Sequence, residues 1–104
     1  MSSSVIELRT RHDFEEFKKH SRSVIFYGAK WCAACQELEP LYARIAKRYA
    51  KRVKMAHVDV EEAHLDFTSV PVFVSYRKGE TLNSMVGTDK EGLKEFVAEA
   101  LKAK

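Results

Sequence analysis

Two cysteines, Cys32 and Cys35, are the residues of this chain best suited to chemistry, and they stand three positions apart. They follow Trp31 and an apolar run, 24–27, that is typical of a buried strand. The segment after Cys35 carries apolar residues at helical spacing, so the pair lies where a strand leads into a helix. The unpaired N–H groups of a first helical turn stabilise negative charge, and thiolate is the nucleophilic form of cysteine. The spacing therefore predicts a reactive dithiol.

The start of this helix lacks an ordinary capping side chain. Residues 29–32 are Ala-Lys-Trp-Cys, without the Ser, Thr, Asp or Asn that usually accepts from the first N–H groups. We expect the Cys32 sulfur to take that role, and Lys30 adds positive charge nearby. Cys35, almost one turn further on, is near enough to close a disulfide with Cys32. Because we expect Cys35 to be buried more deeply, it should stay protonated longer and act as the resolving thiol.

Two other uses of the cysteine pair stay open from the residues alone. One is a purely structural disulfide, although so short a loop constrains the unfolded chain little. The other is half of a metal site, although a tetrahedral zinc site needs further ligands and the sequence has only 2 cysteines.

Length and composition are typical of one small domain with one core. Hydrophobic residues make up 45% of the 104 residues, and no apolar run approaches the ~20 residues that span a membrane. The net charge of +3 is modest, and its basic clusters fall at the end of a predicted helix, so we expect no nucleic-acid binding. The Met-Ser-Ser-Ser start lacks the features of a secretory signal, which favours a cytoplasmic location. In a reducing compartment, a catalytic pair is favoured over a stabilising disulfide.

Strand and helix patterns alternate along the chain without a linker or repeat. Strands are predicted at 5–8, 24–28, 53–60, 72–76 and 81–86, and helices at 11–20, at 32–50 and after residue 88. Thr10 with Asp13, and Thr88 with Glu91, have the spacing of capping boxes at the starts of the first and last helices. Pro40 should bend the long helix, because one backbone hydrogen bond is lost there.

The order of these elements predicts the fold class. Strands joined through helices imply parallel pairing by right-handed crossovers, whereas the hairpin around Lys78-Gly79 must be antiparallel. The segment 61–66 has room only for a turn or a short helix. The sequence therefore predicts an α/β fold with a mixed central sheet and helices on both faces.

Five segments together have the residues and the spacing of a known family: Ala29-Lys30-Trp31-Cys32-Ala33-Ala34-Cys35, Val58-Asp59-Val60, Ser69-Val70-Pro71, Arg77-Lys78-Gly79-Glu80 and Val86-Gly87. Through them the chain resembles the thioredoxin family over nearly its whole length, which implies a single thioredoxin-like domain over 1–104. A Cys-x-x-Cys pair alone is a weak signal, but these segments together at consistent distances are a strong one. The resemblance implies the thioredoxin fold, with Cys32 as the exposed nucleophile and Cys35 as the thiol that resolves the mixed disulfide.

The resemblance also implies a cis peptide bond before Pro71, opposite the cysteines. Such a turn would leave the Val70 backbone groups free to pair with an extended substrate. A flat, mostly apolar docking surface around Cys32 is then expected from Trp31, Ala33, Ala34, Val70, Pro71 and Gly87. Plainer interpretations exist for three of them: Pro71 as the start of an edge strand, Trp31 as a half-buried aromatic, and Gly87 as a strand-to-helix turn.

Four features depart from the family pattern. Ala33-Ala34 stands between the cysteines, where thioredoxins usually carry Gly-Pro. Phe26 takes the position where the family usually buries an acid, and Val72 follows the proline where threonine is common. The connection from Val60 to Val70 is about one helical turn shorter than usual. These features leave the dithiol chemistry intact but bear on redox potential, rate and choice of partner.

His57 is the candidate to replace the missing acid. We expect it to lie on a strand next to the one that carries Phe26. Imidazole, with an ordinary pKa of ~6.5, is suited to accept the Cys35 proton directly or through one water. The alternative is that His57 packs in the core, neutral and hydrogen-bonded. We expect the other three histidines, His12, His20 and His64, to lie at the surface.

These observations predict a thiol–disulfide oxidoreductase, more specifically a protein-disulfide reductase. The Cys32 thiolate attacks a disulfide of a protein substrate, and Cys35 then displaces the reduced substrate. We expect no bound cofactor or metal, regeneration by thioredoxin reductase or a small thiol, and a monomer that binds neither nucleic acid nor membrane. Two alternatives stay open: a disulfide isomerase or oxidase of the same fold, and a module that binds proteins through the same face without turnover.

Overall fold

The computed structural model describes residues 4–103; Met1–Ser3, on which the expected location rests, and Lys104 lie outside the described residues. The elements are β1 (Val5–Leu8), α1 (Arg11–Phe17), β2 (Ser23–Gly28), α2 (Ala33–Arg48), β3 (Lys54–Asp59), β4 (Val72–Arg77), β5 (Glu80–Val86) and α3 (Lys90–Lys102). Within the described range, no helix has both the length and the apolar character needed to cross a membrane.

The five strands form one mixed sheet in the order β1-β3-β2-β4-β5. β3 pairs in parallel with both β1 and β2, whereas β4 runs antiparallel to β2 and β5 antiparallel to β4. Lys78 and Gly79, with φ of 52° and 87°, form the two-residue turn between β4 and β5, and these positive φ values favour glycine at the second position. The predicted mixed sheet with its C-terminal hairpin is confirmed.

Helices pack on both faces of the sheet, as predicted. Phe26 and Tyr27 are neighbours on β2 and therefore point to opposite faces. The Phe26 ring meets Tyr42 of α2 at 5.1 Å between centroids, and the Tyr27 ring meets Phe14 of α1 at 5.8 Å. All of β2 is buried, as expected for a central strand covered on both sides.

Tyr42 joins α2 to the two central parallel strands. Its ring is almost fully buried, and its hydroxyl lies 3.1 Å from the Val24 carbonyl oxygen and 2.7 Å from that of Ala56. Both carbonyls accept from the phenol, and burial raises the pKa of Tyr42 well above its ordinary value, so the hydroxyl stays a donor. This contact fixes α2 over the part of the sheet that precedes the cysteines.

The structure corrects some predicted boundaries. α1 ends at Phe17 and not near residue 20, because the following residues 18–22 are polar and add no apolar side chain to the helix face. α3 is capped by Asp89, whose carboxylate accepts from the Gly92 N–H at 2.8 Å. The predicted Thr88 capping box is therefore wrong; the Thr88 hydroxyl donates instead to the Asp89 carbonyl oxygen at 3.2 Å.

Other local predictions are confirmed. Thr10 and Asp13 form a reciprocal capping box, with side-chain to backbone distances of 3.0 and 3.2 Å. α2 runs through Pro40 as one helix, and the bend expected there stays a prediction. The connection after β3 forms a hydrogen-bonded turn at residues 60–64 and not a long helix, as predicted.

Candidate functional site

The dithiol lies where β2 passes into α2, and the two sulfurs are joined as a disulfide with the Cα atoms 5.2 Å apart. Cys32 is the N-cap residue of α2, in an extended conformation with φ −88° and ψ 105°. Its sulfur accepts a hydrogen bond from the Cys35 N–H at 3.1 Å, which confirms the predicted capping role. Cys32 is 6% exposed and Cys35 is fully buried, so of the two only Cys32 keeps any surface open to solvent.

Trp31 presents its ring to solvent directly before Cys32, with 68% of its surface exposed. Its indole N–H donates to the Glu61 carboxylate, and Lys30 forms an ion pair with Glu62 at 3.1 Å. Such exposure excludes the half-buried alternative for Trp31. The ring is therefore held by the 60–64 turn and stays available to a partner.

The 60–64 turn depends on Asp59, a residue of the Val58-Asp59-Val60 segment for which no role was predicted. The Asp59 carboxylate is buried and accepts from the backbone N–H groups of Glu61 and Glu62, both at 3.0 Å. An Asp at the end of a strand, followed by polar residues, is a signal for this kind of turn. Asp59 thus positions the two acids that contact Trp31 and Lys30.

The Val70–Pro71 peptide bond is cis, as the resemblance implied. Because β4 runs antiparallel beside β2, this bond lies at the edge of the sheet where β2 leads to the cysteines. The Pro71 carbonyl accepts from the Gly87 N–H at 2.8 Å, and Gly87 has a φ of +64° that favours glycine. Within residues 4–103, the backbone N–H and C=O of Val70 have no hydrogen-bond partner.

The predicted docking surface is open in most of its parts. Ala33, Ala34 and Gly87 are exposed, Val70 is half-buried and Pro71 is buried. Val86, which was not among the predicted docking residues, is 65% exposed and pairs with Val72 immediately after the cis proline. The sequence signal for a docking role of Val86 was an apolar residue at the end of an outer strand, next to Gly87.

His57 lies in a row of three residues across the sheet. It is paired with Glu7 on β1 and with Phe26 on β2. Its Nδ1 lies 2.9 and 2.8 Å from the two Glu7 carboxylate oxygens, and its ring meets the Phe26 ring edge-on at 5.1 Å. Burial alone lowers the pKa of His57, but the Glu7 carboxylate, with Glu39 and Asp59 further off, outweighs burial and raises it above its ordinary value.

Gly28 brings His57 and Cys35 together. A Cβ placed on Gly28 would lie 3.3 Å from the Cys35 sulfur, 3.3 Å from His57 Nε2 and 3.2 Å from Phe26 Cε1. The sulfur and Nε2 are therefore at most twice 3.3 Å apart, with no side chain from Gly28 between them. The other three histidines are exposed, as predicted.

The arrangement can exchange disulfides but offers little to a metal. Among residues 4–103, no group of three or more His, Cys, Asp or Glu side chains is arranged to hold a metal ion. The chemistry of the site is that of an accessible sulfur at a helix N-terminus with a buried second sulfur beside it.

Comparison with known proteins agrees with this geometry. The thioredoxin family model matches residues 5–99. The chain is 34% identical over 104 residues to the TPR repeat-containing thioredoxin TDX of Arabidopsis thaliana, covering 94% of this chain but 26% of that protein. It is 26% identical over 99 residues to putative thioredoxin-4 of Dictyostelium discoideum, covering 91% of this chain and 95% of that one.

Solved structures show the same fold. Plasmodium falciparum thioredoxin superposes with a TM-score of 0.84 at 24% identity, covering 91% of this chain and 98% of that one. Members of the matched family are disulfide oxidoreductases that use a redox-active disulfide without a prosthetic group. The fold, the Trp-Cys-x-x-Cys site and the family match together establish that this chain belongs to the thioredoxin family.

Proposed function

We propose that the chain is a protein-disulfide reductase in which Cys32 is the nucleophile and Cys35 the resolving thiol. The observation that carries this proposal is the position of the Cys32 sulfur at the N-cap of α2, hydrogen-bonded by the Cys35 N–H at 3.1 Å. Helix N–H groups stabilise a thiolate more than a thiol, so they favour the reactive form of Cys32. Cys35, fully buried, is stabilised in its neutral form until a mixed disulfide is in place.

The reaction has two exchange steps. The Cys32 thiolate attacks one sulfur of a substrate disulfide, forming a mixed disulfide while the other substrate sulfur leaves as a thiolate and takes up a proton. Cys35 then loses its proton and attacks the Cys32 sulfur, which releases the second substrate sulfur. The substrate gains two electrons and two protons, and the Cys32–Cys35 disulfide remains. A reductase or a small thiol returns two electrons and two protons to the pair.

The docking surface supports extended protein segments as substrates. The free N–H and C=O groups of Val70 can pair with the backbone of such a segment, as in strand addition. The exposed apolar surface of Trp31 and Val86, with Ala33 and Ala34 beside the nucleophile, then contacts its side chains.

A reductase cycle also defines the partners and surroundings. We propose thioredoxin reductase or an equivalent donor as the source of electrons, a reducing compartment such as the cytoplasm, and a monomer as the working form. The basic residues Lys47 and Arg48 lie in the last turn of α2, where they complement the helix dipole. That placement accounts for these two basic residues without a nucleic-acid partner.

A disulfide isomerase or oxidase of the same fold is the second candidate, and Ala33-Ala34 favours it. Neither residue has the fixed φ of proline, and the geometry of the first helical turn governs how strongly the thiolate is stabilised. A higher redox potential than that of a reductase would identify this alternative.

A turnover assay separates catalysis from binding alone. The substrate is a two-chain peptide whose chains separate when their disulfide is reduced, with dithiothreitol as the electron donor. We expect wild type to separate the chains over many turnovers and Cys32→Ser to have no more effect than buffer. Cys35→Ser should separate a first equivalent of chains and then proceed more slowly than wild type, because its mixed disulfide must wait for dithiothreitol. If Cys35→Ser retains the wild-type rate, or wild type gives no acceleration, the reductase proposal is wrong.

A further inference from the structure

We propose that Glu7 and His57 form a proton relay for Cys35, in which His57 exchanges the proton and Glu7 is the positioning residue that orients its imidazole. The proposal deepens the dithiol function and rests on it. The basis is the position of the imidazole ring between two groups. The Glu7 carboxylate contacts His57 Nδ1, and the Cys35 sulfur lies on the side of the ring that carries Nε2.

The sheet itself brings Glu7 to His57. β1 and β3 run in parallel with Glu7 opposite His57, so both side chains project from the same face. The side chain of His57 is 20% exposed and that of Glu7 is 40% exposed, so the imidazole is sheltered while the carboxylate keeps contact with water. The edge position of β1 therefore allows a charged residue to reach a mostly buried partner at modest desolvation cost.

The Glu7 contact determines which ring nitrogen is available. A carboxylate only accepts, so His57 Nδ1 must carry the hydrogen that it donates to Glu7. In the neutral ring the lone pair is then on Nε2. Within residues 4–103, Nε2 has no hydrogen-bond partner, and it borders the small space beside Gly28 that Cys35 also borders.

The absence of a side chain at Gly28 keeps this path short. The Cys35 sulfur and His57 Nε2 are each 3.3 Å from the position that a Gly28 Cβ would take, which limits their separation to twice that distance and leaves no Gly28 side chain between them. Phe26 closes the other side of the space and holds the ring edge-on. Phe26 therefore shelters the path, while His57 supplies the base that Phe26 lacks.

The proton and the electron pairs balance across the second exchange step. Nε2 takes the Cys35 proton, and the resulting thiolate attacks the Cys32 sulfur of the mixed disulfide. The bond between the two protein sulfurs forms as the bond from Cys32 to the substrate sulfur breaks, and the substrate leaves with that electron pair as a thiolate. The leaving thiolate takes up one proton, and imidazolium returns its own to water.

The charges around His57 favour its role as acceptor. Glu7 from β1, Glu39 from α2 and Asp59 from β3 all stabilise the imidazolium form, against the effect of burial. A cleft of about 390 Å³ borders Glu7, Glu39 and His57, and an adjoining one of about 300 Å³ also borders Arg9, Lys30, Asp59 and Glu62. These openings give the His57 ring a route to water, and the larger of them also borders Phe26.

The test follows the two exchange steps separately in the full chain. Reduced protein is mixed with 5,5′-dithiobis(2-nitrobenzoate) in a stopped-flow instrument between pH 5.5 and 9. Each attack releases one coloured thiolate, first by Cys32 and then by Cys35. Wild type is compared with Glu7→Leu, Glu7→Gln, His57→Gln and Gly28→Ala. Glu39→Gln is the matched control, because Glu39 is a nearby carboxylate that makes no hydrogen bond to the ring.

We expect the second release to slow about 100-fold in His57→Gln and about tenfold in Glu7→Leu, within the range of a general base and its support. Glu7→Gln should lie between wild type and Glu7→Leu, because its amide oxygen can still accept from Nδ1–H. Both Glu7 variants should move the midpoint of the pH profile to lower pH, since the carboxylate no longer favours imidazolium. Glu39→Gln removes a charge that stabilises imidazolium but no hydrogen bond to the ring, so it should lower the pH midpoint by less than either Glu7 variant and leave the ring tautomer unchanged. The first release should stay within about twofold of wild type in all variants.

A spectroscopic measurement keeps the proposal testable if a variant folds poorly. In reduced wild type at pH 9, ¹⁵N shifts of the His57 ring should show hydrogen on Nδ1, and Glu7→Leu should shift the population toward Nε2–H. Gly28→Ala should slow the second release while leaving the tautomer unchanged.

A wild-type ring with hydrogen on Nε2, or an unchanged second step and pH midpoint in Glu7→Leu, overturns the relay. Failure of the proposed function looks different, because wild type would then release no second thiolate at all.

Discussion

The sulfur of Cys32 accepts a hydrogen bond from the Cys35 N–H at 3.1 Å, so the nucleophile caps the same helix that carries its resolving partner. A thiolate at this position gains from the helix N-terminus, whereas a disulfide gains much less. The conformation of the first turn of α2 therefore affects the redox potential of the cysteine pair.

The first prediction concerns that potential. Ala34 is the second residue of α2, where the family usually has proline. Without the fixed φ of proline, we expect a potential above the ~−270 mV of thioredoxin and below the ~−120 mV of DsbA. Ala34→Pro should lower it toward the thioredoxin value, and Ala33→Gly should change it less. Titration in glutathione buffers measures all three proteins, and a wild-type value at or below that of thioredoxin would contradict the account.

The second prediction concerns the start of α3. Asp89, not Thr88, accepts from a helical N–H, so its loss should expose the end of the helix. We expect Asp89→Ala to lower the free energy of unfolding by about 1 kcal/mol, and Thr88→Ala by less than half of that. Urea denaturation compares the two. Equal effects, or the larger one at Thr88, would show that the cap is assigned to the wrong residue.

These two cases show what the sequence can and cannot predict. The Cys32 cap was predictable because residues 29–32 contain no competing acceptor, and the mixed sheet followed from the alternation of helices and strands. At the start of α3, two suitable caps are adjacent, and only backbone geometry decides between them. The Glu7 contact was out of reach, because it depends on the register between β1 and β3, which are about 50 residues apart. Local patterns predict elements, but long-range pairing determines which polar side chains meet.

The third prediction is a pH dependence of stability from the Glu7–His57 contact. The folded-state pKa of His57 lies above its ordinary value, so the stabilisation is complete below pH ~6.5 and is lost as pH rises through the folded-state pKa. Glu7→Gln should therefore lower the free energy of unfolding by about 0.5–1 kcal/mol more at pH 6 than at pH 9. Glu16→Gln is the control, because its partner Lys19 stays charged throughout that range. If the loss of stability in Glu7→Gln is the same at both pH values, or is larger at pH 9, this assignment is wrong.

The fourth prediction concerns substrate docking. Val86 and Leu82 are both exposed apolar residues of β5, but Val86 lies beside the cis proline and Leu82 toward the hairpin turn. We expect Val86→Thr and Trp31→Ala to lower kcat/KM for a protein disulfide by about 3- to 10-fold, the loss of modest apolar contacts. Leu82→Thr should have no effect. With a small aromatic disulfide as substrate, all three variants should match wild type, and an equal loss there would indicate damage to the dithiol instead of docking.

The most direct test of the central claim is to identify which sulfur holds the substrate. Each single-cysteine variant is incubated with a disulfide-linked peptide, quenched in acid and examined by intact-mass and fragment mass spectrometry. We expect Cys35→Ser to accumulate a mixed disulfide on Cys32, because the first step is intact and the resolving thiol is missing. Cys32→Ser should trap almost none, since the remaining thiol is fully buried. Equal trapping by both variants, or trapping on Cys35 alone, would contradict the assignment of Cys32 as the nucleophile.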